Sequence, residues 1–194
     1  MSIARLKVLL FVAGLVPAGV LVARAFTDNL GANPIEFITH DTGTWALAFL
    51  IVTLSVTPIR RLTGWHDVIR VRRMLGLFAF FYACLHLATW AVLDQFFDVA
   101  AMVEDVAKRP FITVGMAGFL CLVPLAATST TAMIRRLGRR WQLLHRLTYV
   151  AAIAGVIHFW WLVKADLREP QRWAAALALL LGLRAWWALQ RRHG

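Results

Sequence analysis

Six stretches of this chain are long and apolar enough to cross a bilayer, and they constrain the fold more than any other feature. A spanning helix needs about 20 mostly apolar residues, and such runs fall at about 6–23, 44–59, 74–93, 111–127, 141–163 and 173–189. Pro58 and Pro124 lie near the ends of two of them. There they would distort a last turn without forbidding a span, because neighbouring helices can satisfy the freed carbonyls. The runs recur along the whole length, so the expectation is an all-α integral membrane protein. It forms one domain over residues 1–194, a six-helix transmembrane bundle with both termini on one side.

Composition agrees and narrows the class. Hydrophobic residues make up 60% of the chain and charged ones 16%, against roughly 45–50% and ~25% in soluble domains, which excludes an ordinary soluble enzyme. The net charge of +11 would suggest nucleic acid on a soluble protein. Here the basic residues lie between apolar runs, so the expected partner is membrane lipid and not nucleic acid. Arg5, Lys7, Arg60, Arg61, Arg70, Arg72, Arg73, Arg135, Arg136, Arg139, Arg140, Arg146, Arg191 and Arg192 flank the spans on one side, with Asp67 as the sole acid there. The other nine acids fall on the opposite side. Cytoplasmic loops carry the Lys/Arg excess, so both termini are expected to be cytoplasmic. Arg5, Lys7, the first apolar run and Ala23-Arg24-Ala25 imitate a secretory signal, but that run is long for one. Cys84 and Cys121 both sit inside apolar runs, and form neither a disulfide framework nor a zinc site.

Among the six histidines, His86 and His158 lie within spans and His145 near the start of one. An ionisable group at membrane depth is costly and faces the bundle interior, a partner or a cofactor. His86 lies about 12 residues into its span and His158 about 17 into its own, so both fall in the outer half at ~1.5 Å per residue. Two neutral imidazoles facing one another across a bundle can supply both axial positions of a haem iron. Haem b is the first reading for this pair. His145 precedes His158 by ~20 Å of helix, but ~140° away in rotation on a straight helix. The positions on the third span that would face His145 are Arg72 and Arg73.

Charge where a ligand would otherwise stand suggests an anionic cofactor. Guanidinium forks bind phosphate bidentately, and Arg135, Arg136, Arg139 and Arg140 lie nearby with Thr128-Ser129-Thr130-Thr131. The phosphate of flavin mononucleotide (FMN) would fit there; the other reading is that these arginines only set topology in the lipid headgroups. Simpler accounts serve the rest. The tryptophans near span ends form an aromatic belt, Gly115 and Gly118 permit close helix packing, and His40 is an interfacial residue that could touch a haem propionate or a quinone. Arg184, inside the last span, is expected to snorkel to the surface.

Several stretches together carry a resemblance: Val71-Arg72-Arg73-Met74-Leu75-Gly76-Leu77, Leu85-His86-Leu87, Lys108-Arg109-Pro110-Phe111-Ile112-Thr113-Val114-Gly115, Ala127-Thr128-Ser129-Thr130-Thr131-Ala132-Met133, Leu137-Gly138-Arg139-Arg140-Trp141-Gln142-Leu143-Leu144-His145 and Ile157-His158. In order and spacing the chain resembles the ferric-reductase-like transmembrane superfamily, and within it the haem-binding membrane subunits of bacterial periplasmic methionine sulfoxide reductase systems. The resemblance implies a six-helix inner-membrane protein with haem b and FMN. It implies electrons drawn from the respiratory quinone, or from a cytosolic flavin reductase, and passed to a periplasmic molybdopterin reductase, MsrP. It further implies His86 and His158 as haem ligands, His145 as a haem- or flavin-proximal histidine, and Arg72 and Arg73 as holders of the flavin phosphate. The wider superfamily has two histidines on each of two helices, and this chain lacks the inner one on the third span. Two alternatives remain open: a stand-alone transmembrane ferric or superoxide-generating reductase, and a cofactor-free transporter or scaffold.

Overall fold

The computed structural model describes residues 2–193, with side chains through Gln190; Arg191 and Arg192, assigned above to one flank, have side chains outside the described set. The order is α1 (Ile3–Phe26), α2 (Pro34–Thr63), a 3-10 segment (His66–Val71), α3 (Arg72–Ala88) and a π turn (Thr89–Asp94). It continues with α4 (Val99–Lys108), α5 (Pro110–Ala127), α6 (Thr131–Leu137), α7 (Arg139–Leu144), α8 (Leu147–Leu162) and α9 (Arg168–His193). Six helical segments have the length and composition to cross a membrane: α1, α2, α3 with its flanking turns, α5, α7 with α8, and α9. An even number of crossings brings the chain back to the end where it began, called here the terminal end; the opposite end is the far end.

α2 begins ten residues before the apolar run that marks it. Asn33 caps it by accepting from the Glu36 amide (3.4 Å) while its own amide donates to the Glu36 carboxylate (2.9 Å). Pro34 takes the first helical position, where its missing N–H costs nothing. The polar stretch Thr39-His40-Asp41-Thr42 therefore belongs to the helix, and it lies at the depth of the site described below.

At two points a side chain from another helix satisfies backbone groups that the local helix does not pair. Pro58 has no N–H for the Leu54 carbonyl. Arg184 on α9 donates to that carbonyl instead and holds the Leu180 carbonyl at 2.7 Å with its other nitrogen, its guanidinium 5.7 Å above the Tyr149 ring. Arg184 is thus tied inside the bundle rather than snorkelling, because an orphaned carbonyl in hydrocarbon is a better partner than none. In α1, the Tyr82 hydroxyl donates to Gly14 O (2.7 Å) and accepts from Ala18 N–H (3.1 Å), inserting itself between a carbonyl and the amide that would ordinarily bond it. Gly14 leaves room for Phe78, which a Cβ there would meet at 2.6 Å. Tyr82 also stacks on Phe49, ring centres 5.4 Å apart, so one side chain joins α1, α2 and α3.

The core is a chain of small apolar clusters: Leu47, Leu54, Ala152, Val156, Leu177 and Leu180 join α2, α8 and α9, while Leu50, Ala79, Leu122, Leu125 and Ala151 join α2, α3, α5 and α8. α1 turns Val8, Leu9, Val12 and Val16 outward, as a lipid-facing helix does. The fifth crossing is not one straight rod. It breaks at His145-Arg146 between α7 and α8, so a rotation counted along a continuous helix from His145 to His158 does not apply.

Candidate functional site

α2 pairs closely with α3, and α5 with α8; each pair builds one half of a central site. On α3, the His86 Nδ1 lies 2.9 Å from the Thr39 carbonyl of α2. On α8, the His158 Nδ1 lies 2.7 Å from the Phe111 carbonyl of α5. A carbonyl accepts, so Nδ1 carries the proton in both rings and each Nε2 keeps a free lone pair. In each half the residue four positions beyond that carbonyl is a glycine, Gly43 or Gly115. A Cβ on Gly43 would lie 3.0 Å from the His86 ring, and one on Gly115 2.6 Å from the His158 Nδ1. The sequence separation between histidine and carbonyl is 47 residues in both halves. The two halves therefore repeat one design, although no sequence repeat announces it.

The ring centres of His86 and His158 are 5.9 Å apart and their planes stand at 79°. Two metal–nitrogen bonds of about 2 Å, with the distance from each ring centre to its nitrogen, place the centres of two axial imidazoles about 6 Å apart. The second hydrogen bond on each ring is the arrangement that fixes tautomer and orientation in metal-ligating histidines. The pair lines a cavity of about 280 Å³ between α2, α3, α5 and α8, mostly walled by Leu47, Leu50, Phe111, Met116, Phe119, Leu122 and Phe159. An apolar chamber with two aimed imidazoles fits a haem.

Apart from the two facing histidines, the charged side chains and N–H donors of this cavity gather at its far end, where His40, Asp94, Trp90 and Arg109 reach its lining. His40, read from sequence as an interfacial residue, is exposed yet belongs to the cavity wall. Next to it, Asp105 on α4 accepts from Arg109 Nε (2.8 Å), Trp90 Nε1 (3.3 Å) and Gln95 Nε2 (3.2 Å). Its side chain is only 10% exposed, against 55% for Arg109. The chain reaches this hub through the π turn and then two successive left-handed residues, Phe96 (φ 48°) and Phe97 (φ 59°). Two non-glycine residues at positive φ cost free energy, and such strain collects at functional sites.

The terminal end carries the other group of predicted residues. Arg72 is partly buried and lies within electrostatic reach of Arg60, Arg184 and Tyr149, whereas Arg73 is exposed; adjacent helical positions point about 100° apart. His145 is also near Arg72. It stacks on Trp141 with ring centres 3.8 Å apart, and its Nε2 lies 3.2 Å from the Thr128 hydroxyl; Trp141 in turn donates to the Thr128 carbonyl (3.0 Å). His145 faces no second histidine among the described residues. Arg135, Arg136, Arg139 and Arg140 are exposed. Gly115 and Gly118 had no role in the sequence reading beyond packing. Gly118 does pack, a Cβ there lying 3.1 Å from Ala154 Cβ, but Gly115 and Gly43 make room for imidazoles.

Fold and site together define a multi-pass helical membrane protein with a pair of oriented, facing histidines in its interior. Residues 42–156 match the family described as ferric reductase like transmembrane component. Among curated proteins, the haem-binding subunit MsrQ of protein-methionine-sulfoxide reductase from Herminiimonas arsenicoxydans is 55% identical over 190 residues, covering 96% of this chain and 87% of its own. The proteins of the same name from Ralstonia nicotianae and Rhodospirillum rubrum are each 54% identical, covering 96% of this chain and 87% and 90% of their own. The chain belongs to the ferric reductase-like transmembrane family, in its MsrQ branch. No solved structure matches it.

Proposed function

We propose that the chain is a membrane electron-transfer subunit of the bacterial inner membrane, holding one haem b between His86 and His158 and FMN at the terminal end. The observation that carries the reading is the facing pair itself: both Nδ1 atoms are held by carbonyls, both Nε2 atoms are free, and glycines clear the space for both rings. The relatives' shared name, haem-binding subunit, supports it.

Haem b in this chamber would supply a one-electron iron couple, and FMN a centre able to exchange one or two electrons with a donor. The residues do the rest. Thr39 and Phe111 keep each imidazole in the tautomer that ligates through Nε2, while Gly43 and Gly115 set its depth. If His86 and His158 both ligate a haem iron, the protein would leave it no open position for oxygen or substrate, which would suit electron transfer rather than catalysis. The leucines and phenylalanines of the chamber exclude water. At the terminal end, Arg72, Arg60 and Arg184 form a cluster with no carboxylate of its own, since Asp67, the sole acid on that side, is 3.3 Å from Arg70. Such a cluster fits the phosphate of FMN, with His145, Thr128 and Tyr149 as polar neighbours.

The proposed path runs from respiratory quinone or a cytosolic flavin reductase, with termini in the cytoplasm, across the bundle to a periplasmic molybdopterin reductase, MsrP. That partner would reduce methionine sulfoxide in oxidised proteins. Haem and flavin assays on the purified chain test the carriers. Electron delivery is tested by mixing the dithionite-reduced protein with the partner and methionine sulfoxide. Reoxidation that requires both partner and sulfoxide supports the reading, and reoxidation by ferric chelate alone would favour the stand-alone reductase.

A further inference from the structure

We propose that Arg109 and His40 form the seat for the two propionate carboxylates of the haem, with Asp105 as the residue that aims Arg109. The inference rests on the haem reading above and assigns the cofactor's orientation within it. Haem b is apolar except along the edge that carries its two carboxylates, and a carboxylate facing apolar wall would be buried without a partner at a cost of several kcal/mol. Toward the terminal end the chamber closes on Leu47, Leu50, Leu122 and Ala151. Apart from the two facing imidazoles, its side-chain N–H donors, on His40, Trp90 and Arg109, are all at the far end, so the carboxylate edge faces that way.

The two residues hold comparable places in the two halves of the site. His40 follows Thr39, whose carbonyl orients His86, and Arg109 stands two residues before Phe111, whose carbonyl orients His158. One short segment on each half of the site thus supplies both the carbonyl for an axial ring and a donor at the mouth. His40 is within electrostatic reach of both axial histidines. Arg109 gives Nε to Asp105, which leaves its four terminal N–H groups free for a carboxylate fork. Asp105 accepts from three donors, whereas Asp94 at the same rim is exposed and would repel a carboxylate that came close. That repulsion directs the edge toward His40 and Arg109.

The test uses the full-length, haem-loaded protein in detergent with R109Q, R109K and H40Q, and R168Q as a control at the same end outside the cavity. Ferric haem carries one more positive charge than ferrous haem. Removing a cation that neutralises a propionate therefore stabilises the ferric form. R109Q should keep the six-coordinate spectrum, lower the midpoint potential, and shift the propionate bending mode in resonance Raman spectra. R109K should restore part of both changes, H40Q should shift the bending mode from the other side, and R168Q should change neither. Haem-loaded R109Q and H40Q with wild-type potential and wild-type propionate mode would overturn the seat while leaving the haem reading standing. Wild-type protein without haem would overturn both.

Discussion

A single methyl group at residue 115 tests the geometry of the site most sharply. In Gly115→Ala the new Cβ would stand 2.6 Å from His158 Nδ1 and 3.0 Å from its Cε1. Ordinary contact lies at about 3.5–4.0 Å, so the ring must retreat by roughly 1 Å, several times the ~0.2 Å tolerance of a metal–ligand bond. It would also leave the Phe111 carbonyl, and losing such an orienting bond costs ~10–100-fold in metal affinity. At Gly43 the same substitution meets His86 at 3.0 Å, an overlap about half as large. Gly19 and Gly182 have nothing within 4 Å and serve as controls. Haem per chain, by pyridine haemochrome on purified protein, should fall in the order Gly19→Ala and Gly182→Ala (unchanged), Gly43→Ala, then Gly115→Ala. The haem remaining in the last should gain high-spin character. A Gly115→Ala protein with full haem and an unchanged low-spin spectrum would refute the reasoning, because the imidazole could not then be where the structure puts it.

His86→Ala and His158→Ala should each abolish the bis-imidazole spectrum, while His145→Ala should keep it, since His145 faces Thr128 and not a second histidine; loss of haem from His145→Ala would make it an axial ligand. Released-flavin assays should show FMN lowered in Arg72→Ala and unchanged in Arg73→Ala, and equal effects would remove the distinction between the inward and outward arginine. Tyr82→Phe should destabilise the bundle by about 1–3 kcal/mol, read by thermal or denaturant unfolding in detergent, because the Gly14 carbonyl and Ala18 amide lose their shared partner. Arg184→Leu should cost a similar amount, and most of it should vanish in the Pro58→Ala background, where the substituted residue regains an N–H that can bond the Leu54 carbonyl. An undiminished cost there would mean that Arg184 matters for another reason.

Much of this was legible in the sequence, and the parts that were not have physical reasons. Hydropathy found all six crossings because lipid demands long apolar runs. It placed the start of α2 late because Thr39, His40, Asp41 and Thr42 are polar, although Asn33-Pro34 with Glu36 is a helix-start signal. His86 and His158 stood out as ionisable groups at depth, but nothing local shows that they face one another; that follows from how α3 and α8 pack. The carbonyl partners are invisible to composition, since any residue has a carbonyl. Glycines recur for close packing in membrane helices, so Gly43 and Gly115 were indistinguishable from Gly118 until their neighbours were known. The division between Arg72 and Arg73 depends on the phase of one helix turn. Arg184 was misplaced because its partner, the carbonyl orphaned by Pro58, lies 130 residues away.

The central claim is that one haem is held between His86 and His158. Its most direct test is haem stoichiometry together with the spin state of the detergent-purified protein, by pyridine haemochrome and low-temperature electron paramagnetic resonance on one sample. One haem b per chain with a six-coordinate low-spin signal is the predicted result. Two haems per chain, or a single high-spin five-coordinate haem, would contradict it.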